Sequence, residues 1–224
     1  MSRYDAQTIN SPNPFARFAH RNRIKRSLEY TIPRTKLGKI LDYGCGSGVL
    51  VSRLNKIKSD SAVGYEPYMR ERTQQNLPIY SDYQDALRLG PYHTVTLFET
   101  IEHLTRDELE EFLQRCTEVL DAKGSILISA PIEIGPALLL KEANRTLQRI
   151  PKPQYGFLEL IKAAFLGIPG RRAENIKSHH KGYDFRRTLD FLASRGWSST
   201  ILSYGPLPLK HWYGNSQVFY LASR

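Results

Sequence analysis

Read for apolar and polar positions alone, the chain alternates short apolar runs with longer amphipathic stretches. Residues 40–43 form a short apolar run bounded by charge, the pattern of a buried parallel strand. A turn with glycines at 44, 46 and 48 follows. Val49, Leu50, Val51 and Leu54 then carry the spacing of a helix packed on a sheet. Further strands are expected at 62–66, 78–81, 93–98 and 125–130, with a helix over about 68–76 between the first two. Thr105-Arg-Asp-Glu108 is a capping box, which fixes a helix start. Leu109, Phe112, Leu113, Cys116, Val119 and Leu120 give that helix a buried stripe, and 121–124 reads as a turn. Asp184 is the expected N-cap of a helix over 184–195, with Gly196 just past its end. Strands at 197–204 and 217–222, joined by a linker over 205–214, suit an antiparallel hairpin at a sheet edge. Strand and helix in alternation predict an α/β fold with a doubly wound, mostly parallel seven-stranded sheet and an antiparallel last strand.

Two segments stand outside that alternation. Residues 1–38 precede the first strand and carry an amphipathic helix that starts at Phe15 and is expected to end before Pro33. One face carries Phe15, Phe18, Ile24 and Leu28, the other Arg17, Arg21, Arg23, Lys25 and Arg26. Residues 132–183 are too long for a plain loop. They contain two amphipathic stretches, one striped by Leu139, Leu140, Ala143, Leu147 and Ile150, the other by Phe157, Leu158, Ile161, Ala164, Phe165 and Ile168. This segment reads as a helical lid inserted into a single 1–224 domain.

The 224-residue chain has a net charge of +10, unevenly distributed. Residues 1–39 carry nine Lys or Arg against two acids, residues 40–140 nine against fifteen, and residues 141–187 eleven against four. Basic charge confined to appendages points to a partner or to solubility. Cys45 and Cys116 give no disulfide framework and no metal spacing, so a reducing, cytoplasmic setting is expected and no metal. Neither a signal peptide nor a membrane-spanning run is visible.

The glycine turn carries the chemistry. Strand, glycine turn and helix make the first half of a nucleotide site. A dinucleotide fold wants G-x-G-x-x-G, whereas here Asp42-x-Gly44-x-Gly46-x-Gly48 puts an acid before the turn. An acid there suits an ammonium group and repels a pyrophosphate. Leu41-Asp-Tyr-Gly-Cys-Gly-Ser-Gly48 resembles motif I of class I S-adenosylmethionine methyltransferases, which implies their Rossmann-like fold and S-adenosyl-L-methionine as cofactor. The resemblance covers about 39–131 and 180–222. It implies that Asp42 helps bind the methionine amino group and that Gly44, Cys45 and Gly46 leave room for the cofactor. It also implies that Glu66 accepts the ribose hydroxyls, that Asp82 and Tyr83 meet the adenine, and that Phe98 and Glu99 line the methionine end.

Glu99-Thr-Ile-Glu102-His103-Leu104 resembles the E-H-L motif of the branch that includes the ubiquinone-biosynthesis O-methyltransferases. His103 is then the first candidate for general base. Glu99 and Glu102 could orient it or bind a divalent ion. His179-His180-Lys-Gly-Tyr183 resembles a second stretch of that branch and brings His180 into the candidate catalytic set. The implied function is methyl transfer to a small-molecule acceptor, an oxygen of an apolar or lipid-linked compound. The basic amphipathic stretches at 15–30 and 136–172 predict peripheral contact with an anionic membrane. Two alternatives stand beside this reading: a nucleic-acid methyltransferase acting on RNA, and a non-catalytic S-adenosylmethionine-binding partner protein. The strand-four end lacks the N/D-P-P-Y/F/W sequence of amino-directed nucleic-acid enzymes.

Overall fold

The computed structural model of the protein describes residues 14–68, 76–147, 154–172 and 180–224. Its strands are β1 (Ile40–Tyr43), β2 (Ala62–Tyr65), β3 (Ile79–Tyr80), β4 (Tyr92–Phe98), β5 (Leu120–Pro131), β6 (Ser198–Gly205) and β7 (Gln217–Ser223). They form one seven-stranded sheet in the order β3-β2-β1-β4-β5-β7-β6, mostly parallel with the last strands antiparallel. The helices are α1 (Pro14–Arg34), α2 (Val49–Ile57), α3 (Tyr83–Leu87), α4 (Arg106–Val119), α5 (Ala137–Leu147), α6 (Phe157–Leu166) and α7 (Phe185–Ser194). The expected α/β architecture is therefore observed. The helix expected over 68–76 lies almost wholly outside the described residues.

The chain divides into two compact units. The first comprises Met1–Phe98 with Glu111–Leu127. At its centre β1 pairs in parallel with β2 on one side and β4 on the other, with Asp42 opposite Gly64 and Thr96. On one face Ile40, Val51, Leu54 and Ala62 form a buried cluster, closed by Leu28 and Ile32 of α1. On the other face Tyr43, Tyr65, Tyr83 and Phe112 make a chain of ring contacts at centroid distances of 4.8–5.6 Å. Period-two alternation along β1 sends Leu41 and Tyr43 to one face and Ile40 and Asp42 to the other. Gly48 precedes α2 with φ +76, and a Cβ there would lie 2.3 Å from Ile79 Cδ1, so the turn admits no larger residue at this position.

Two expectations in this unit are corrected. Helix α1 runs past Pro33 to Arg34 rather than stopping before it. Pro33 removes a single N–H near the helix end. The bonds around it hold: Thr35 N donates to Thr31 O at 3.2 Å, and the Arg34 guanidinium donates to Tyr30 O at 2.6 Å. The turn expected at 121–124 is absorbed into β5. What remains of it is local: the Asp121 carboxylate accepts from Lys123 N at 2.9 Å. Asp121 also meets His93 Nδ1 at 3.0 Å, which ties the start of β5 to β4.

The second unit comprises Glu99–Glu110 with Ile128–Ala222. The capping box of α4 is reciprocal: Thr105 N donates to the Glu108 carboxylate at 2.8 Å, and Glu108 N donates to Thr105 Oγ1 at 3.3 Å. Asp184 caps α7 by accepting from Arg186 N, and Gly196 has φ +79. Helices α5 and α6 pack on each other through Leu138, Tyr155, Leu160 and Ala163, and Gly135 N donates to Ala163 O at 2.8 Å.

Among the described residues of the stripes read for these two helices, only Ala164 is buried. On α6, Ala163 and Ala164 are buried, while Phe157, Leu158, Ile161 and Phe165 are exposed. Small residues permit the close approach of the two helices, and the bulky ones are left outside. On α5, Leu138 and Glu142 are buried and Leu140 is exposed. Glu142 goes inward because Arg145 pairs with it there. The side chain of Leu147 and all of Ile150 lie outside what is described.

Candidate functional site

In the first unit the ends of β1 and β2 bring Asp42, Gly44, Cys45, Gly46 and Glu66 together. Gly44 N and Cys45 N both donate to Tyr65 O, at 2.8 and 3.2 Å, which folds the turn over β2. Gly44, Gly46 and Gly48 all have positive φ. The Glu66 carboxylate accepts from Gly46 N at 2.9 Å and from Tyr68 N at 3.2 Å. Above Gly46 lies open space, with nothing within 4 Å of where a Cβ would stand. The turn is thus a backbone cradle edged by two acids.

Asp42 is buried, and its carboxylate accepts from Thr96 Oγ1 at 2.7 Å. Burial raises its pKa to about 6; the Thr96 bond opposes this and nearby Glu66 adds to it. A cation held beside Asp42 would relieve that cost. Burial also pushes the Cys45 thiol well up, so it is a small neutral side chain in the turn rather than a nucleophile. Asp82 caps α3, accepting from Gln84 N at 2.8 Å, and its side chain is exposed. The Tyr83 hydroxyl is turned inward and donates to Arg115 O at 2.9 Å, and the Arg115 guanidinium stands 4.4 Å from the ring centroid. An open cavity of about 590 Å³ between α3 and α4 takes in Asp82, Tyr83, Glu111 and Arg115 but none of the glycine turn. Phe98 is half-buried at the end of β4.

In the second unit the sequence-distant residues Glu99, Glu102, His103 and His180 converge. Glu99 has φ +50, a left-handed conformation that a non-glycine residue seldom adopts. Its N–H donates to Ser129 O, and its carboxylate accepts from Ser129 Oγ at 3.1 Å and Gln217 Nε2 at 2.9 Å. A single 3₁₀ turn, Ile101–His103, then buries Glu102 and leaves His103 half-exposed. Glu102 Oε1 stands 3.8 Å from His103 Nε2 and 3.6 Å from His180 Nε2. The imidazole centroids are 5.0 Å apart. Glu102, His103 and His180 each offer one ligand atom within 4.8 Å of the others, so these three could hold a metal ion. His179 lies outside the described residues.

Burial drives the His180 pKa well below the usual imidazole range, against the pull of Glu133 and Glu99, so the ring is neutral at pH 7. Burial alone would raise Glu133. Instead Lys141 Nζ at 2.8 Å, with Arg145 and His180, holds its pKa below the ordinary carboxylate range. Residues 159–181 add further bonds around this cluster. Arg172 donates to Glu102 O, and Glu159 pairs with Lys181 at 2.7 Å and accepts from Arg171 N.

Sequence reading missed Thr96, Glu133, Lys141 and Arg172. Thr94 and Thr96 break the apolar run of β4 and are both buried, a signal that β-branched propensity concealed. Arg172 gives no signal because its partner Glu102 lies 70 residues away, and Lys141 and Glu133, eight residues apart, fit no helical or turn spacing that would pair them.

A family model described as a methyltransferase domain matches residues 15–165. No curated protein matches the sequence. Three solved structures have similar folds. A SAM-dependent methyltransferase from Archaeoglobus fulgidus is 15% identical with TM-score 0.54, over 95% of this chain and 100% of that one. The DhpI-SAM-HEP complex is 14% identical with TM-score 0.55, over 99% and 94%. The plantazolicin methyltransferase BpumL, in complex with a triazolic desmethylPZN analog and SAH, is 12% identical with TM-score 0.51, over 98% and 94%.

Proposed function

The chain belongs to the methyltransferase-domain family, and we propose from that premise that it methylates an oxygen of a small apolar or lipid-linked compound. It is a methyltransferase, with S-adenosyl-L-methionine as its cofactor. The observations at the glycine turn fit that cofactor: open space over Gly46, a buried acid at 42 suited to an ammonium group, and a carboxylate at 66 suited to a ribose diol. Bound there, the cofactor supplies an electrophilic methyl group on a sulfonium. Asp42, the Gly44–Gly46 backbone and Glu66 would hold it, and Asp82 is retained as the candidate for the adenine end.

The acceptor half is carried by one observation, the convergence of Glu102, His103 and His180. Methyl transfer to a hydroxyl oxygen releases its proton. A neutral imidazole can receive it, at His103 Nε2 or His180 Nε2. The Glu102 carboxylate, within 4 Å of both, then stabilises the imidazolium. The strained Glu99 backbone and the Arg172 bond to Glu102 O hold the loop that presents these groups.

The same triad favours a second reading, in which Glu102, His103 and His180 would hold a divalent ion, which would supply Lewis-acid activation of the acceptor hydroxyl. Steady-state turnover of His103→Ala and His180→Ala against a panel of phenolic and lipid hydroxyl acceptors tests the first reading. A loss of about 10²–10⁴-fold in kcat with unchanged cofactor affinity is expected. Full activity in both variants would reject it. Loss of activity in EDTA, restored by added metal, would select the second reading.

A further inference from the structure

The bulky residues that α6 turns outward are joined to a second exposed apolar segment. Phe157 is 78% exposed, Leu158 72%, Phe165 52% and Leu166 67%. The linker between β6 and β7 exposes Leu207, Leu209 and Tyr213. Trp212 connects the two: a Cβ on Gly167, at the end of α6, would stand only 2.9 Å from Trp212 Cη2. Arg186 locks the junction by donating to Gly167 O at 2.8 Å while its guanidinium stands 5.6 Å from the Trp212 ring. Both segments belong to one compact unit.

Charge identifies the partner. The exposed cations are Lys162 and Arg171 by α6 and Lys210 in the linker. Residues 154–172 and 205–216 contain one acid, Glu159, whose carboxylate is engaged by Lys181 Nζ and the N–H of Arg171. An apolar face edged by cations, with its lone acid neutralised internally, has the chemistry of an interfacial anchor. A water-exposed cluster of this kind is not expected on a monomer without a partner.

We propose that α6 and the 205–214 linker together dock on the surface of a bilayer containing anionic phospholipid. Phe157, Leu158, Phe165, Leu207 and Leu209 enter the headgroup–acyl boundary, and Lys162, Arg171 and Lys210 meet the headgroups. This holds whether or not the acceptor proposal does, because vesicle binding is read without methyl transfer.

Flotation of the full chain with vesicles of equal parts phosphatidylcholine and phosphatidylglycerol tests it, with pure phosphatidylcholine as control. The chain is expected to float with the anionic vesicles, and less so at high salt. Leu158→Ser with Phe165→Ser, and separately Leu207→Ser with Leu209→Ser, should each weaken binding on the order of tenfold. Lys162→Glu should weaken only the anionic-vesicle binding. Brominated lipid should quench part of the tryptophan fluorescence of the unaltered chain, that of Trp212 rather than of the buried Trp197, a readout that needs no variant to fold. The proposal is overturned by a chain that stays unbound to both vesicles, or by variants that bind like the parent. It is equally overturned by a wild-type dimer that the same substitutions turn into a monomer, because the face is then covered by a second copy.

Discussion

Asp42 is held in the folded state at a cost. Its carboxyl titrates near 6 because it is buried, and only Thr96 donates a hydrogen bond to it among the contacts described. Below the ordinary Asp range of about 4, it is protonated both folded and unfolded, and no penalty arises. As pH rises from about 4 to 6 the unfolded chain ionises first, so stability falls. Above about 6 the penalty is complete, on the order of 3 kcal/mol for the ligand-free protein. Asp42→Asn keeps an oxygen for Thr96 and removes the charge. Ligand-free Asp42→Asn should therefore be more stable than the parent at pH 8 and equal to it near pH 4, as measured by urea unfolding. It should also bind S-adenosylmethionine more weakly. Glu66→Gln should lose about 1.5–3 kcal/mol of cofactor affinity, the worth of hydrogen bonds to a charged group, with little change in melting temperature.

Elements whose ends carry local chemistry were legible from sequence. The Thr105–Glu108 box and the Asp184 cap act within one turn, and each occurs in the structure as the residues dictate. Thr105→Ala should cost about 1 kcal/mol of stability, since it removes one half of the reciprocal cap. The first βαβ unit was legible too, because Ile40, Val51, Leu54 and Ala62 are buried by periodicity alone. Leu54→Ala should destabilise by about 2–5 kcal/mol in chemical denaturation. Helices α5 and α6 were legible only as amphipathic stretches. The covered face was not readable: packing through Ala163 and the ion pair of Glu142 with Arg145 lie inward, and Phe157 and Leu140 are left exposed. Amphipathic periodicity shows that a helix has two faces, but not which of them a neighbour covers.

For the whole molecule, seven strands alternating with helices were readable in outline, and the order in which they pair is seen in the fold. Asp42, the glycine turn and Glu66 could be named together because they lie between residues 42 and 66. The Glu102 cluster was only half readable. His103 and His180 could be named, but their meeting at Glu102, the Lys141–Glu133 pair behind His180 and the Arg172 clamp depend on contacts across 8 to 78 residues of chain. Among the described residues no helix is long and apolar enough to cross a membrane.

The central claim is that the Asp42–Gly48 turn with Glu66 binds S-adenosyl-L-methionine. Titration calorimetry of the full chain with that cofactor, with NAD alongside, tests it most directly. The account predicts one-to-one binding of S-adenosylmethionine with a dissociation constant of about 1–100 μM, corresponding to roughly −8 to −5.5 kcal/mol, and no heat from NAD. No binding of S-adenosylmethionine at about 1 mM, or a preference for NAD, would contradict it.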